Sequence, residues 1–120
     1  MTLPLTPAMI AAAYDFLRTT PPFRRWKLPH SSEIVFRVTR DPRRRGHYRR
    51  DRCDRREIAV SSAAIGHTHS LIEVVAHEMI HLHEDMIGIL YKTKAEHSGY
   101  FRRKAASVCK FHGFDPKLFY

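Results

Sequence analysis

Apolar residues recur along this chain with two different periods, and the switches between them mark out its elements. From Thr6 to Pro22, the residues Met9, Ile10, Ala13, Phe16 and Leu17 fall at three- and four-residue intervals, the spacing of one helical face. Thr6 is a residue type that caps a helix, and Pro7 follows at the first helical position, where its missing N–H costs nothing. Pro21 and Pro22 stop the run, and the helix between these signals is expected to be scaffold. The period then shortens to two. In "EIVFRVTR", Ile34, Phe36 and Val38 alternate with polar neighbours, the mark of a half-buried strand. "REIAVSS" repeats the alternation around Ile58 and Val60, and "GHYRR" is expected as a strand between the two. Together they predict a short antiparallel sheet of two to three strands.

The helical period returns in "HTHSLIEVVAHEMIHLHEDMIG", where Leu71, Val74, Val75, Ile80 and Leu82 supply the packing positions. Ser70 followed by Glu73 reads as a capping box that starts this helix, and Gly88 as its stop. A second box, Thr93 to Glu96, announces a last helix in "EHSGYFRRKAASVCKFHG". Its core stripe is Phe101, Ala105, Val108 and Cys109, and its cap is Gly113. No internal repeat interrupts this order, so the expected class is α+β: an N-terminal helix, a small sheet and two further helices.

Composition narrows the setting. A chain of 120 residues with 43% apolar content is expected to form one domain, 1–120, able to bury a core of its own. Two cysteines, Cys53 and Cys109, are too few and too far apart for a disulfide framework or a cysteine-rich metal ribbon. One disulfide between them is possible, but free thiols in a reducing compartment are the simpler reading: Cys109 packed in the core, Cys53 accessible to solvent. The N-terminus lacks the charged start and apolar run of a secretory signal, and no stretch reaches the roughly 18 apolar residues of a membrane span. A cytoplasmic protein is expected.

Charge adds a second theme. Lysine and arginine number 21 against 12 acidic residues, a formal charge of +9, and Arg37 to Arg56 alone holds ten arginines and three aspartates. A hairpin of this composition attracts polyanions, DNA first among them, with Arg43, Arg44, Arg45, Arg49 and Arg50 as the expected contacts. The plainer alternative is a solvated basic hairpin with no partner. Tyr48 is the only aromatic in the stretch that could stack on a base, so sequence-specific readout is not expected.

The candidate chemistry lies in "HEMIH". Residues four apart on a helix project from one face a turn apart, so His77 and His81 can share one metal ion, while Glu78 points to the flank of that face. This is the H-E-x-x-H arrangement, in which two imidazoles bind zinc and the carboxylate takes a proton from the water that zinc activates. A catalytic zinc needs a third protein ligand. The extended pattern H-E-x-x-H-x-x-G-x-x-H would require glycine at Glu84 and histidine at Ile87, which excludes it. Glu84 is too close in sequence to return to the ion; Glu96 could just serve, and His97, opening a new helix after a turn of chain, is the better candidate.

"HEMIH", followed after fifteen residues by "HSGYF" and preceded by the strand "EIAVSS", resembles the SprT-like family of zinc metalloproteases, which includes DNA–protein crosslink proteases. The likeness runs from about Ile34 to Gly113 and is strongest from Ile58 to Phe101. It implies a small zincin-like domain, zinc ligands His77, His81 and His97, Glu78 as general base, and Phe101 packing the helix of the third ligand. Ser98 stands where the family usually has glycine. With Tyr120 as the last residue, the C-terminal zinc-ribbon or DNA-binding segments of many relatives are not expected here, and any nucleic-acid contact is expected from the Arg37–Arg56 hairpin.

The implied activity is hydrolysis of peptide bonds in protein substrates, including those on DNA. An oxyanion partner is needed as well, and Tyr91, Tyr100 and His112 are the candidates. His83, two residues past His81, faces away from the ion and is expected at the surface, whereas His67 and His69 could line the cleft. Two other classes fit the same residues: a nucleic-acid-binding module with a structural zinc site, and a zinc hydrolase of non-peptide bonds.

Overall fold

The computed structural model describes residues 4–63, 68–90 and 97–119. The expected capping box at Thr93 and Glu96, and His67 and Tyr91, lie outside the described residues, as does the side chain of His69.

Helix α1 (Pro7–Arg18) starts as its sequence requires: the Thr6 hydroxyl accepts from the Met9 N–H at 3.2 Å, and Pro7 follows. Ile10, Ala13, Tyr14 and Leu17 form its buried stripe. Phe16, expected in that stripe, is 54% exposed. It sits about 100° off the centre of the face, and Tyr14 takes the inward position, sending its hydroxyl to the Pro29 carbonyl.

Strands β1 (Val35–Thr39), β2 (Gly46–Arg50) and β3 (Arg56–Ser61) form one sheet in the order β1-β3-β2. β2 and β3 pair antiparallel as expected, with Gly46 opposite Val60 and Arg50 opposite Arg56, but β1 pairs parallel to β3, with Val35 opposite Glu57. The sheet is therefore mixed, and "GHYRR" is an edge strand rather than the one in the middle. Burial explains the order. Five successive residues of β3, Glu57 to Ser61, are buried, which only a strand covered on both faces and flanked on both sides permits, whereas Arg49 and Arg50 leave β2 half in water. Glu57 is a buried acid served by two arginines and a histidine, since Arg37, His47 and Arg49 reach it at 3.4, 2.8 and 2.7 Å. Burial alone would raise the Glu57 carboxyl; those hydrogen bonds and charges outweigh it and hold the group below the usual carboxylate range.

Between β1 and β2 the chain crosses the end of β3. There the Arg45 carbonyl accepts from the Ser61 N–H at 2.8 Å, and the Asp41 carbonyl from the Ser61 hydroxyl at 2.6 Å. Helix α2 (Thr68–Met86) packs on the sheet and on α1 through Leu71, Val74, Val75, Met79 and Ile80, all buried. It is already helical at Thr68, so Ser70 lies within the first turn and is not the cap; Glu73 instead pairs with Arg45 at 3.5 Å. The far end of α2 is tied to β2 by Asp85, which accepts from the Tyr48 hydroxyl and, at 3.0 Å, from Arg50 Nε. Gly88, at φ +81°, ends the turn.

Helix α3 (Gly99–His112) is capped by Ser98, whose hydroxyl accepts from the Phe101 N–H, and ends at left-handed Gly113. Its buried residues are Phe101, Ala105, Val108 and Cys109, as the pattern requires. A final single turn, α4 (Pro116–Phe119), had not been expected, although Asp115-Pro116 is a start signal and the Asp115 carboxylate accepts from the Lys117 N–H. Stacking of Phe114 on Phe119 folds this turn back onto α2 and α3. Among the described residues, no helix is long and apolar enough to cross a membrane.

Candidate metal centre

His77 and His81 project from consecutive turns of α2, and His97 meets them from the residue just before Ser98, so it precedes α3 and does not lie within it. One nitrogen from each of the three lies within 4.8 Å of the others, a set able to hold a metal ion. His77 Nε2 and His97 Nε2 are 3.2 Å apart. Two nitrogens bound at 2.0–2.1 Å to a tetrahedral zinc stand about 3.3 Å from each other, so the spacing fits such an ion.

The ring tautomers fit as well. His77 Nδ1 donates to the Phe119 carbonyl at 2.8 Å, and since a carbonyl only accepts, its proton sits on Nδ1 and the Nε2 lone pair faces the other two rings. His81 Nδ1 is 2.9 Å from the Glu84 carboxylate, which fixes the same tautomer there. Burial, followed by repulsion from His81, pushes the His77 pKa down to about 3, against a smaller opposing effect of the Phe119 hydrogen bond. His77 is thus neutral at physiological pH, the form a ligand needs.

Phe101 forms the floor. Its fully buried ring stacks on His97 at 4.4 Å and on His81 at 4.6 Å, and lies 4.9 Å from His77. Glu84 joins the two helices behind the rings. One of its oxygens faces His81, and the other accepts from the Ser98 hydroxyl at 3.3 Å. Sequence reasoning excluded Glu84 as a third ligand, yet missed that three residues past His81 is one helical turn, close enough to orient that ring. It also missed Phe119, for which the start signal at Asp115-Pro116 was the available clue.

Glu78 is buried and lines a cavity of about 260 Å³ together with His77 and His97. Gly46, at the start of β2, is what lets the strand come so near. A Cβ there would stand 2.6 Å from a Val74 methyl, 2.7 Å from the Ala59 carbonyl oxygen and 3.4 Å from Glu78 Oε2. Such contacts leave room only for glycine.

The remaining candidates disperse. His83 is buried, not at the surface: it stacks on Trp26 at 4.5 Å and bonds the Tyr100 hydroxyl at 2.7 Å, and burial lowers its pKa. That bond takes Tyr100 away from an oxyanion role, and His112 is likewise held elsewhere, by the Thr20 hydroxyl at 3.0 Å. Tyr48 is buried against α2 and cannot stack on a base. Cys53 and Cys109 are free thiols, exposed and buried respectively.

Seven of the ten arginines from Arg37 to Arg56 fall into two groups. Arg49 joins Arg37 on Glu57; Arg50 is held by Asp85 and by Asp54 at 3.3 Å, and Arg55 by Asp51 at 3.0 Å. Arg43, Arg44 and Arg45 instead line the cavity beside Glu78.

Comparison with known proteins returns the SprT-like family, whose model matches residues 18–118, nearly the whole chain. No curated protein and no solved structure matches it.

Proposed function

The chain belongs to the SprT-like family, and from that premise we propose that it is a zinc-dependent metallopeptidase in which His77, His81 and His97 hold the metal and Glu78 is the general base. The observation that carries this reading is the convergence of three imidazole nitrogens within 4.8 Å beside a buried glutamate at the wall of an open cavity.

Zinc held there would supply a Lewis acid that activates water and polarises a carbonyl. The chain's own residues do the rest. Glu78 takes the proton from the attacking water and passes it to the leaving amine. The Phe119 carbonyl and the Glu84 carboxylate hold Nδ1 of His77 and of His81, so that Nε2 of each ring is the nitrogen turned to the metal. Phe101 excludes water from beneath the rings and limits their rotation. β2, an edge strand among the described residues that begins beside Glu78, offers a sheet edge along which an extended peptide can lie.

The test is Glu78→Gln. Metal analysis of the purified protein should give one zinc per chain in both forms, and cleavage of an unfolded protein substrate should fall at least a thousandfold in the variant, a loss of roughly 4 kcal/mol in transition-state stabilisation. Equal rates in the two forms would end the peptidase reading. Ester and phosphoester substrates run beside the peptide would detect a zinc hydrolase of another bond.

Two settings are proposed with this function. A cytoplasmic location is supported by two free cysteines. Contact with DNA is supported by the formal charge of +9, though the ion pairs of Arg37, Arg49, Arg50 and Arg55 leave less free charge than the sequence offers. Binding to single- and double-stranded oligonucleotides across a salt series tests it, since affinity carried by phosphate contacts must fall steeply with salt.

A further inference from the structure

The second group of arginines has a different address from the first. Arg43, Arg44 and Arg45 cross the end of β3 and line the cavity that holds Glu78, together with the carboxylates Glu73 and Glu78. Arg45 is fixed in place. Its guanidinium donates to the Leu118 carbonyl at 3.2 Å and lies 3.5 Å from Glu73, and its side chain is 41% exposed. Arg43 is anchored at its backbone, where its N–H donates to Asp41 at 2.8 Å, while its side chain is 90% exposed and reaches Asp41 only at 3.8 Å.

A cavity of about 260 Å³ admits one or two side chains. A duplex, with its regular row of phosphates, needs a broad surface track and cannot enter it. A carboxylate on a peptide seated at Glu78 would lie beside these arginines, and arginine favours bidentate pairing with a carboxylate.

We propose that Arg43, Arg44 and Arg45 form a subsite that selects an acidic side chain next to the scissile bond, so that this peptidase prefers substrates carrying aspartate or glutamate there. The proposal rests on the peptidase reading of the same cleft and names the substrate class it takes.

The test uses acetylated, amidated fluorogenic peptides that differ only in having Glu, Gln or Lys beside the scissile bond, with one further peptide bearing a free C-terminal carboxylate. On wild-type protein the Glu peptide should exceed its Gln partner roughly three- to tenfold in kcat/KM, through KM, and the Lys peptide should be poorest. Salt at about 0.5 M should shrink the difference. In the double variant R43Q/R44Q, checked for folding by circular dichroism, the Glu-to-Gln ratio should fall towards one. If only the free C-terminal carboxylate is preferred, the side-chain proposal is overturned in favour of terminal-carboxylate recognition.

Binding of the same peptides to zinc-loaded Glu78→Gln protein, read by fluorescence anisotropy, separates the two claims. Preferential binding of the Glu peptide without cleavage by wild type would sink the peptidase reading and leave the subsite standing. Cleavage with equal Glu and Gln rates would do the reverse. An unchanged ratio in R43Q/R44Q, with weaker binding of a DNA oligonucleotide, would overturn the subsite and give these arginines to nucleic acid. Should the double variant not fold, the Glu-to-Gln ratio and its salt dependence in wild type decide.

Discussion

Glu84 lies 2.9 Å from His81 Nδ1, and its second oxygen accepts from Ser98, the residue after His97, so one buried carboxylate holds a histidine of α2 and the start of α3 together. Glu84→Gln keeps the shape but removes the charge that orients the imidazole. Zinc affinity, measured by competition with a chelating dye, should drop about 10- to 100-fold. Affinity equal to wild type would show that His81 needs no orienting partner.

Ser98 has a second task, since its hydroxyl caps α3 through the Phe101 N–H at 3.2 Å. Ser98→Ala removes the cap and one partner of Glu84, and should cost about 1 kcal/mol in urea unfolding of the metal-free protein. Ser98→Gly should cost only about a few tenths of a kcal/mol. A larger loss in the glycine variant than in the alanine variant would contradict the capping role.

Gly46→Ala addresses the approach of β2 to α2. The added methyl would meet the Val74 methyl and the Ala59 carbonyl at 2.6 and 2.7 Å, so β2 must shift away from Glu78. Peptidase activity is expected to fall at least tenfold, a change of about 1.4 kcal/mol, while zinc content stays at the wild-type level. Unchanged activity would mean that β2 does not frame the substrate.

The fourth prediction concerns pH. His77 is held at a pKa of about 3 in the folded metal-free protein, against 6.5 ordinarily. Between those values the unfolded chain binds a proton that the folded chain refuses, so this group's contribution is fully present above pH 6.5 and is lost as pH falls towards 3. At pH 5 the metal-free protein should be about 2 kcal/mol less stable than at pH 8 on this account. In urea unfolding of His77→Gln, that part of the pH slope should vanish. A slope identical to wild type would place the linkage elsewhere.

What the sequence determined by itself is what a few neighbouring residues encode. Thr6-Pro7 sets the start of α1 and Gly113 the end of α3; four-residue spacing puts His77 and His81 on one face, with Glu78 beside them. These follow from the fixed rise and twist of a helix, which hold wherever the helix is placed. His97 came within reach by elimination, as the histidine that opens a new segment after a turn of chain, and the family resemblance implied the same residue. Tertiary structure alone decided the strand order, because alternation in β1 and β3 is the same whether they pair parallel or antiparallel. It also decided which arginines are spent on Glu57 and Asp85 and which reach the cleft, and that Phe119, 42 residues from His77, holds its ring. Such partners depend on how distant segments close on one another, and a local period carries no record of that closure.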